Sequence, residues 1–373
     1  MTKRPVWIEV NLKNIQRNIK KIGAYLPWHT EIMAVVKQNA YGHGIVEVAG
    51  ALSDIGIDHF GVASIEEALL LRNKGIPGTI YVLGCILPSQ IRYIIEHQLR
   101  IFITGSHIAY VLNREAARSR RLVPVHVKVD TGMGRIGVWY KEAEKFIEYV
   151  RSRRNLYIEG IATHLPSADC DDAFTRRQIK RLHSVVADAR GKNISVPLVH
   201  CANSIAALRF KQAHFNMVRV GLLMYGMNPA EKFNVVKKLS LQPALSLKAK
   251  IVFLKSVAKG TSVSYARAYV AASRRKIGTV ACGYADGYPW RLNKGAYTIV
   301  KGSRAPITGR VCMDQLMIDV SNVAGIRCED EVTLIGGNAA QRIRAEDVAR
   351  WSSTIPYQIT TCLSATVRRV FIS

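Results

Sequence analysis

The chain reads as an N-terminal (β/α)8 TIM-type barrel joined to a C-terminal, mostly antiparallel β-domain. Three observations predict it. Eight apolar, β-branched runs alternate with amphipathic helical stretches over the first two-thirds of the chain. Polar residues gather at the C-terminal ends of those runs, where such barrels carry their sites. After about Glu231 the texture changes to short β-type runs broken by Gly, Pro and Asp turns. The division places residues 1–237 in the barrel and 238–373 in the β-domain, with the first few residues free to pack with the latter.

The first run, Ile32–Lys37, ends in a lysine. A lysine at a strand end is easily desolvated, which lowers its amine pKa and makes it nucleophilic. Tyr41-Gly42-His43-Gly44 follows, and its glycines let the backbone approach a ligand closely. A Schiff-base lysine and a lysine that snorkels to solvent both fit this segment. Strands two to four are His59–Ser64, Thr79–Gly84 and Leu99–Thr104, with helical spacing over Ile65–Lys74. Strand five, Val123–Asp130, alternates His126, Lys128 and Asp130 with valines, so the polar set shares one face. Helical stretches Glu142–Arg151 and Thr175–Ala189 flank strand six, Tyr157–His164. Strand seven is Val196–Cys201, with His200 at its end and Asn203-Ser204 beyond. Strand eight is Met217–Gly221 and carries Arg219. The β-domain runs are Leu245–Val257, Gly278–Gly283, Ala296–Val300, Met313–Val320 and Glu331–Gly336, and Ala345–Cys362 looks partly helical.

With 373 residues, 49% of them hydrophobic, the chain can bury a large core. No run is long enough to span a bilayer and the start, Met1 to Pro5, is polar, so a cytoplasmic protein is expected. The seven cysteines are scattered without a Cys-x-x-Cys pair, which indicates neither a zinc site nor a disulfide framework. Lys and Arg number 53 against 27 Asp and Glu, a net charge of +26. The basic residues are dispersed, so they suggest steering of anionic ligands rather than a specific nucleic-acid site.

Seven segments together resemble the alanine racemase family, whose members use pyridoxal phosphate (PLP). They are Val35–Gly44 (VVKQNAYGHG), Val127–Gly137 (VKVDTGMGRIG), His200–Ser204 (HCANS), Asn216–Gly221 (NMVRVG), Val263–Tyr265 (VSY), Gly283–Tyr288 (GYADGY) and Gly309–Gln315 (GRVCMDQ). The resemblance covers nearly the whole chain.

It implies that Lys37 holds PLP as a Schiff base and that Tyr41, Ser204, Tyr357 and the backbone near Gly221-Leu222 bind the phosphate, with Asn203 beside them. Arg219 would hydrogen-bond the pyridine nitrogen, oriented by His200, and His164 would lie against the ring. An arginine does not hand over a full proton, so the electron sink stays weak and racemisation is favoured over transamination. Lys37 and Tyr265 would be the two bases, one for each face of the substrate. Tyrosine has a pKa near 10 and needs cationic help, for which Arg135 is the candidate. Lys128 would be carbamylated and orient Arg135; an ordinary lysine paired to Asp130 is the other reading. Met313 would bind the substrate carboxylate, and Asp169, Tyr284 and Arg310 would flank the access path. Tyr265 and Met313 would reach the partner's site in a homodimer. No metal is implied.

Some positions depart from the family pattern. Gln38 replaces a usual alanine and is expected to point away from the site on the strand. Trp290-Arg291 alters the channel, Gln358 stands where an acidic residue is common, and the tail from Ser364 to Arg369 diverges. The implied activity is interconversion of L- and D-alanine, supplying D-alanine for peptidoglycan. A serine or broad-spectrum racemase is the alternative within the family. A PLP-dependent decarboxylase is opposed by Arg219, because that reaction benefits from an acidic partner at the ring nitrogen. A PLP carrier built on a lone barrel is opposed by the second domain.

Overall fold

The computed structural model of the chain describes residues 4–228, 233–293, 295–338 and 340–372. Met1 to Lys3 and Glu231, which entered the sequence reading, lie outside the described residues. Eight parallel strands run in the order Met217–Val220, Glu31–Val35, His59–Val62, Thr79–Val82, Arg100–Ile103, Val123–Asp130, Leu156–Ala162 and Leu198–His200. The last approaches the first where the Arg219 N–H donates to Ala202 O at 2.9 Å, so the barrel is nearly closed. The strands match the eight sequence-predicted runs to within a few residues at each end.

The period of two sorts the barrel's interior from its exterior. Ala34, Val36, Val62, Val82, Ile101, Val125, Val199 and Val218 face the helices in one continuous core. Met33, Tyr81, Phe102, Ala162 and Met217 form a separate cluster. These five come from five different strands, so they meet only inside the barrel. Continuing the same parity upward gives Val35 on strand one with Lys37 just past its end, His126 and Lys128 on strand five, His200 on strand seven, and Arg219 on strand eight with Gly221 just past its end. The apolar cluster is thus the floor, and polar residues stand above it.

The other sheet is mostly antiparallel. The long strand Leu245–Val257 pairs with Glu331–Gly337 over its first half and with Arg275–Val280 over its second. Val6–Asn11, which the sequence reading did not identify as a strand, joins this sheet and not the barrel. It lies antiparallel to Leu245–Val257 and parallel to Arg368–Ile372. The chain then enters the barrel through the helix Leu12–Tyr25, capped where Asn11 Oδ1 accepts from Asn14 N at 2.8 Å. Its first strand thus ties the barrel to the C-terminal sheet.

Candidate active site

A cavity of about 740 Å³ opens at the C-terminal ends of the barrel strands. Its lining brings together Lys37, Tyr41, Lys128, Arg135, His164, Asp169, Asn203, Ser204, Arg219, Gly221, Leu222 and Tyr357. Burial lowers the Lys37 pKa most, Arg135 and Arg219 lower it further, and Glu67 works against them. With Lys128 beside it, the cavity is rich in cations, a setting for an anionic ligand.

The backbone after Lys37 is unusual. Gln38, Asn39, Ala40 and Tyr41 have φ of 54°, 52°, 53° and 53°. Each left-handed non-glycine residue costs roughly 1–2 kcal/mol, so the surroundings must hold the turn in place. Gln38 is therefore not on the strand pointing away, as the sequence suggested. It lies in this turn and on the cavity rim. At the far end, Gly42 sits at φ 86°, and a Cβ there would stand 2.1 Å from Thr360 O.

Arg219 is buried and held in place. Its Nη1 donates to His200 Nδ1 at 2.9 Å and His200 O at 3.0 Å. Its Nη2 donates to Thr163 O at 2.8 Å, Cys201 O at 3.2 Å and His164 Nδ1 at 3.3 Å. No hydrogen-bond partner of Nε is found among the described residues. Burial brings the Arg219 pKa down to about 10, which leaves it charged at neutral pH. Because arginine only donates, His200 Nδ1 must be bare and its proton sits on Nε2. That proton goes to His126 Nδ1 at 2.9 Å, and His126 Nε2 then donates to Glu159 Oε2 at 3.1 Å. Arg100 Nε holds the same carboxylate at 3.1 Å. The tautomers, assigned from this network, run in one direction from the cavity to the barrel floor. Burial, then the Arg219 charge, keeps His200 well below its usual pKa, so it stays neutral.

Lys128 is buried among cations. Burial, then Arg219 and Arg135, depress its pKa well below the lysine range. Asp130 forms no ion pair with it among the described residues. That carboxylate accepts from the Gly132, Met133 and Gly134 N–H groups at 2.8 to 3.2 Å, shaping the loop that carries Arg135.

The opposite wall is a cradle of donors. The Gly221 N–H donates to Ser204 Oγ at 2.9 Å. A Cβ on Gly221 would stand 2.9 Å from Tyr41 Oη, so glycine makes room for that hydroxyl. Burial pushes the Tyr41 pKa up to about 12, and burial also raises Tyr357, so both stay neutral donors. Asn203 lines the cavity, but its side chain caps a helix through Ala206 N at 3.0 Å and donates to Leu165 O at 2.9 Å. Hydroxyl donors at one end, Lys37 and the Nε of Arg219 elsewhere suit a phosphorylated aromatic aldehyde.

Tyr265, Met313, Tyr284 and Arg310 are not in this cavity. They form one patch on the C-terminal domain. Ser264 Oγ donates to Arg310 O at 2.8 Å and accepts from its N–H at 3.0 Å. Tyr284 N donates to Cys312 O at 3.0 Å and Ala285 N to Met313 O at 2.9 Å. Tyr265 is 68% exposed and Met313 54%, although both are large. Ser264, Ala266 and Arg267, the neighbours of Tyr265, have φ of 71°, 56° and 49°. The Arg310 guanidinium lies 5.5 Å over the Trp290 ring, so the departure at Trp290 falls in the same patch.

The sequence reading missed Glu67, Glu159 and Arg100 as site residues, and placed His126 on the polar face without a role. Glu67 resembles an ordinary capping-box residue, and Glu159 a solvent-facing strand position. Another cavity, about 760 Å³, lies against the C-terminal sheet. Its Lys248 is paired with Glu9 at 3.0 Å and Glu331 at 2.9 Å, and it lacks the reactive groups found above the barrel.

The alanine racemase N-terminal domain family matches residues 10–229 and the C-terminal domain family residues 244–371. Alanine racemase from Halothermothrix orenii is 41% identical over 99% of this chain and 97% of its own length. That from Geobacter sulfurreducens is 39% identical over 100% and 98%. Among solved structures, alanine racemase from Bacillus anthracis with bound L-Ala-P aligns with a TM-score of 0.92 at 37% identity, covering 100% of this chain and 96% of that one. The Clostridium difficile 630 enzyme aligns at 0.93 with 31% identity, covering 100% and 97%.

Proposed function

The chain belongs to the alanine racemase family, and on that premise we propose that it interconverts L- and D-alanine with pyridoxal phosphate held on Lys37. The single observation that carries the reading is the cavity itself. It unites a desolvated lysine, a pinned arginine whose Nε has no partner among the described residues, and hydroxyl donors around a glycine cradle. Tyr41, Ser204, Tyr357 and the Gly221–Leu222 backbone would hold the phosphate, and Arg219 Nε the ring nitrogen. When bound, the cofactor supplies a covalent hold on the substrate amine and a conjugated ring that takes up the electron pair left at the α-carbon.

The chain's own residues move the protons. On one face Lys37 Nζ, freed by substrate, takes the α-proton or returns it. On the other face Tyr265 does the opposite, as phenol donor or phenolate acceptor. Net racemisation leaves one group a proton richer and the other a proton poorer, and proton exchange with water resets both before the next turnover in the same direction. Arg135 stabilises negative charge on the tyrosine side, with Lys128 behind it, carbamylated in this reading. Arg219 keeps its own proton, so the ring nitrogen gains a hydrogen bond but no full charge. A ring held in this way would be a weaker electron sink, which would disfavour side reactions such as transamination. Met313 would bind the substrate carboxylate, and Asp169, Tyr284 and Arg310 would line the access path.

Tyr265 and Met313 stand on an exposed patch outside their own chain's cavity. A homodimer in which this patch closes the partner's cavity accounts for their exposure and for the strained backbone beside Tyr265. No helix among the described residues is long and apolar enough to cross a membrane. A cytoplasmic enzyme supplying D-alanine for peptidoglycan fits this reading.

The test is racemisation of a panel of L-amino acids by purified protein, with and without added PLP. Borohydride reduction and peptide mapping run in parallel. The expected result is PLP-dependent racemisation with alanine preferred, and a reduced adduct on Lys37. Equal turnover of serine would widen the substrate; no racemisation of any amino acid would reject the proposal.

A further inference from the structure

We propose that Glu67 is a positioning residue for Lys37: its carboxylate, fastened to main-chain N–H groups from two neighbouring strand ends, holds the left-handed turn that sets where the Lys37 amine stands. The inference rests on reading Lys37 as the reactive lysine.

Glu67 is the third residue of the helix Ile65–Asn73, whose N-cap is Ser64. In a reciprocal capping box this carboxylate would turn back to the N-cap's own N–H. Here it reaches past Ser64. Oε2 accepts from Ala63 N at 2.8 Å, while Oε1 accepts from Gln38 N at 2.5 Å and Asn39 N at 3.3 Å. A left-handed turn leaves its first N–H groups without partners inside the turn, as a right-handed helix does, and Glu67 supplies the acceptor.

The far end is held separately. Arg369 Nε donates to Gly42 O at 2.8 Å, and Asn39 Oδ1 accepts from Ile45 N at 2.9 Å. The turn is therefore clamped at both ends, and Glu67 grips the end next to Lys37. Only a carboxylate offers acceptors on both oxygens; an amide would set an NH2 against one of the backbone donors.

Charge adds an independent handle. Arg135, Arg219 and Glu67 act on the Lys37 amine, and of these only Glu67 favours its protonated form. His164 feels Lys37 in turn, and burial comes first among the causes that keep it well below its usual pKa.

Glu67→Gln removes the charge and one acceptor at constant shape; Glu67→Asp keeps the charge. The apoprotein and PLP-loaded forms of each are compared by hydrogen exchange of the segment 36–42 and by the pH dependence of Lys37 acylation in the apoprotein. Racemase activity is measured in the loaded form. In Glu67→Gln, exchange of Gln38 and Asn39 should rise about tenfold or more while the barrel strands stay protected. The Lys37 acylation curve should move to lower pH, because the group that favours the ammonium is gone. Racemisation should fall chiefly in kcat, and Glu67→Asp should restore the acylation curve. Unchanged local exchange and an unmoved curve in a folded Glu67→Gln protein would overturn the proposal. Deprotection spread over the whole barrel with an unmoved Lys37 curve would also overturn it, as the mark of a merely structural role. If wild-type protein lacks racemase activity, the reading of Lys37 fails instead, a result these apoprotein measurements keep separate.

Discussion

Arg219 has more protein acceptors around it than a mobile side chain would meet. Carbonyls of Thr163, His200 and Cys201 and the bare nitrogens of His200 and His164 face its terminal amines. These groups specify a cation that never releases its proton. Arg219→Glu reverses that design by placing acceptors against a carboxylate. The carboxyl must take up a proton or induce one on His200, and an acid then stands where only a hydrogen-bond donor stood. Racemisation should fall by about 10²-fold or more, and pyruvate should appear from alanine as a transamination by-product. Assay of both products in the purified variant checks this; full racemase activity without pyruvate would contradict the role given to Arg219. At this scale the sequence was legible where a residue type is rare at its position. A lysine, an arginine and two histidines at strand ends stand out against apolar runs. Glu67 did not stand out, because Ser-x-x-Glu before an apolar run describes many helix starts. Its reach to Gln38 depends on two strand ends being neighbours, which no local pattern records.

The barrel strands were readable because both faces of a parallel strand are buried and the sequence runs continuously apolar. The left-handed turn was not readable. Gln38, Asn39, Ala40 and Tyr41 carry no shared preference for positive φ, and tertiary contacts impose the conformation. Val6–Asn11 was missed because its partners, Leu245–Val257 and Arg368–Ile372, are distant in sequence. Strand packing also decides the proton chain from Arg219 to Glu159. Gly160 on strand six lies beside His126, and a Cβ there would come within 2.3 Å of His126 Nδ1 and 2.8 Å of Leu198 O. Gly160→Ala should displace the buried imidazole and break its bond to His200. The expected loss is about 1–3 kcal/mol of stability, with a fall in kcat as His200, which orients Arg219, loses its own partner. Gly191→Ala, where an added Cβ meets nothing within 4 Å, is the control and should be near neutral. Urea denaturation midpoints and steady-state kinetics of the two variants measure the difference; equal behaviour would show that the His126 position does not matter.

On the proposed reading, the two domains of one chain present complementary halves of a site. The barrel offers Lys37 in a cation-rich cavity; the C-terminal domain offers Tyr265 and Met313 on an exposed patch. The patch residues were legible from family-like motifs, whereas their separation from the cavity in a single chain was not, since motifs carry no distances. The central claim is that racemisation joins Lys37 of one protomer to Tyr265 of another. Complementation tests it most directly. Lys37→Ala and Tyr265→Phe homodimers should each be nearly inactive. In a heterodimer purified through two different tags, one site carries both lesions and the other carries neither. The account predicts recovery of about half the wild-type alanine racemase activity per dimer. A folded, PLP-loaded heterodimer as inactive as its parents would contradict it, because every site would then hold one lesion.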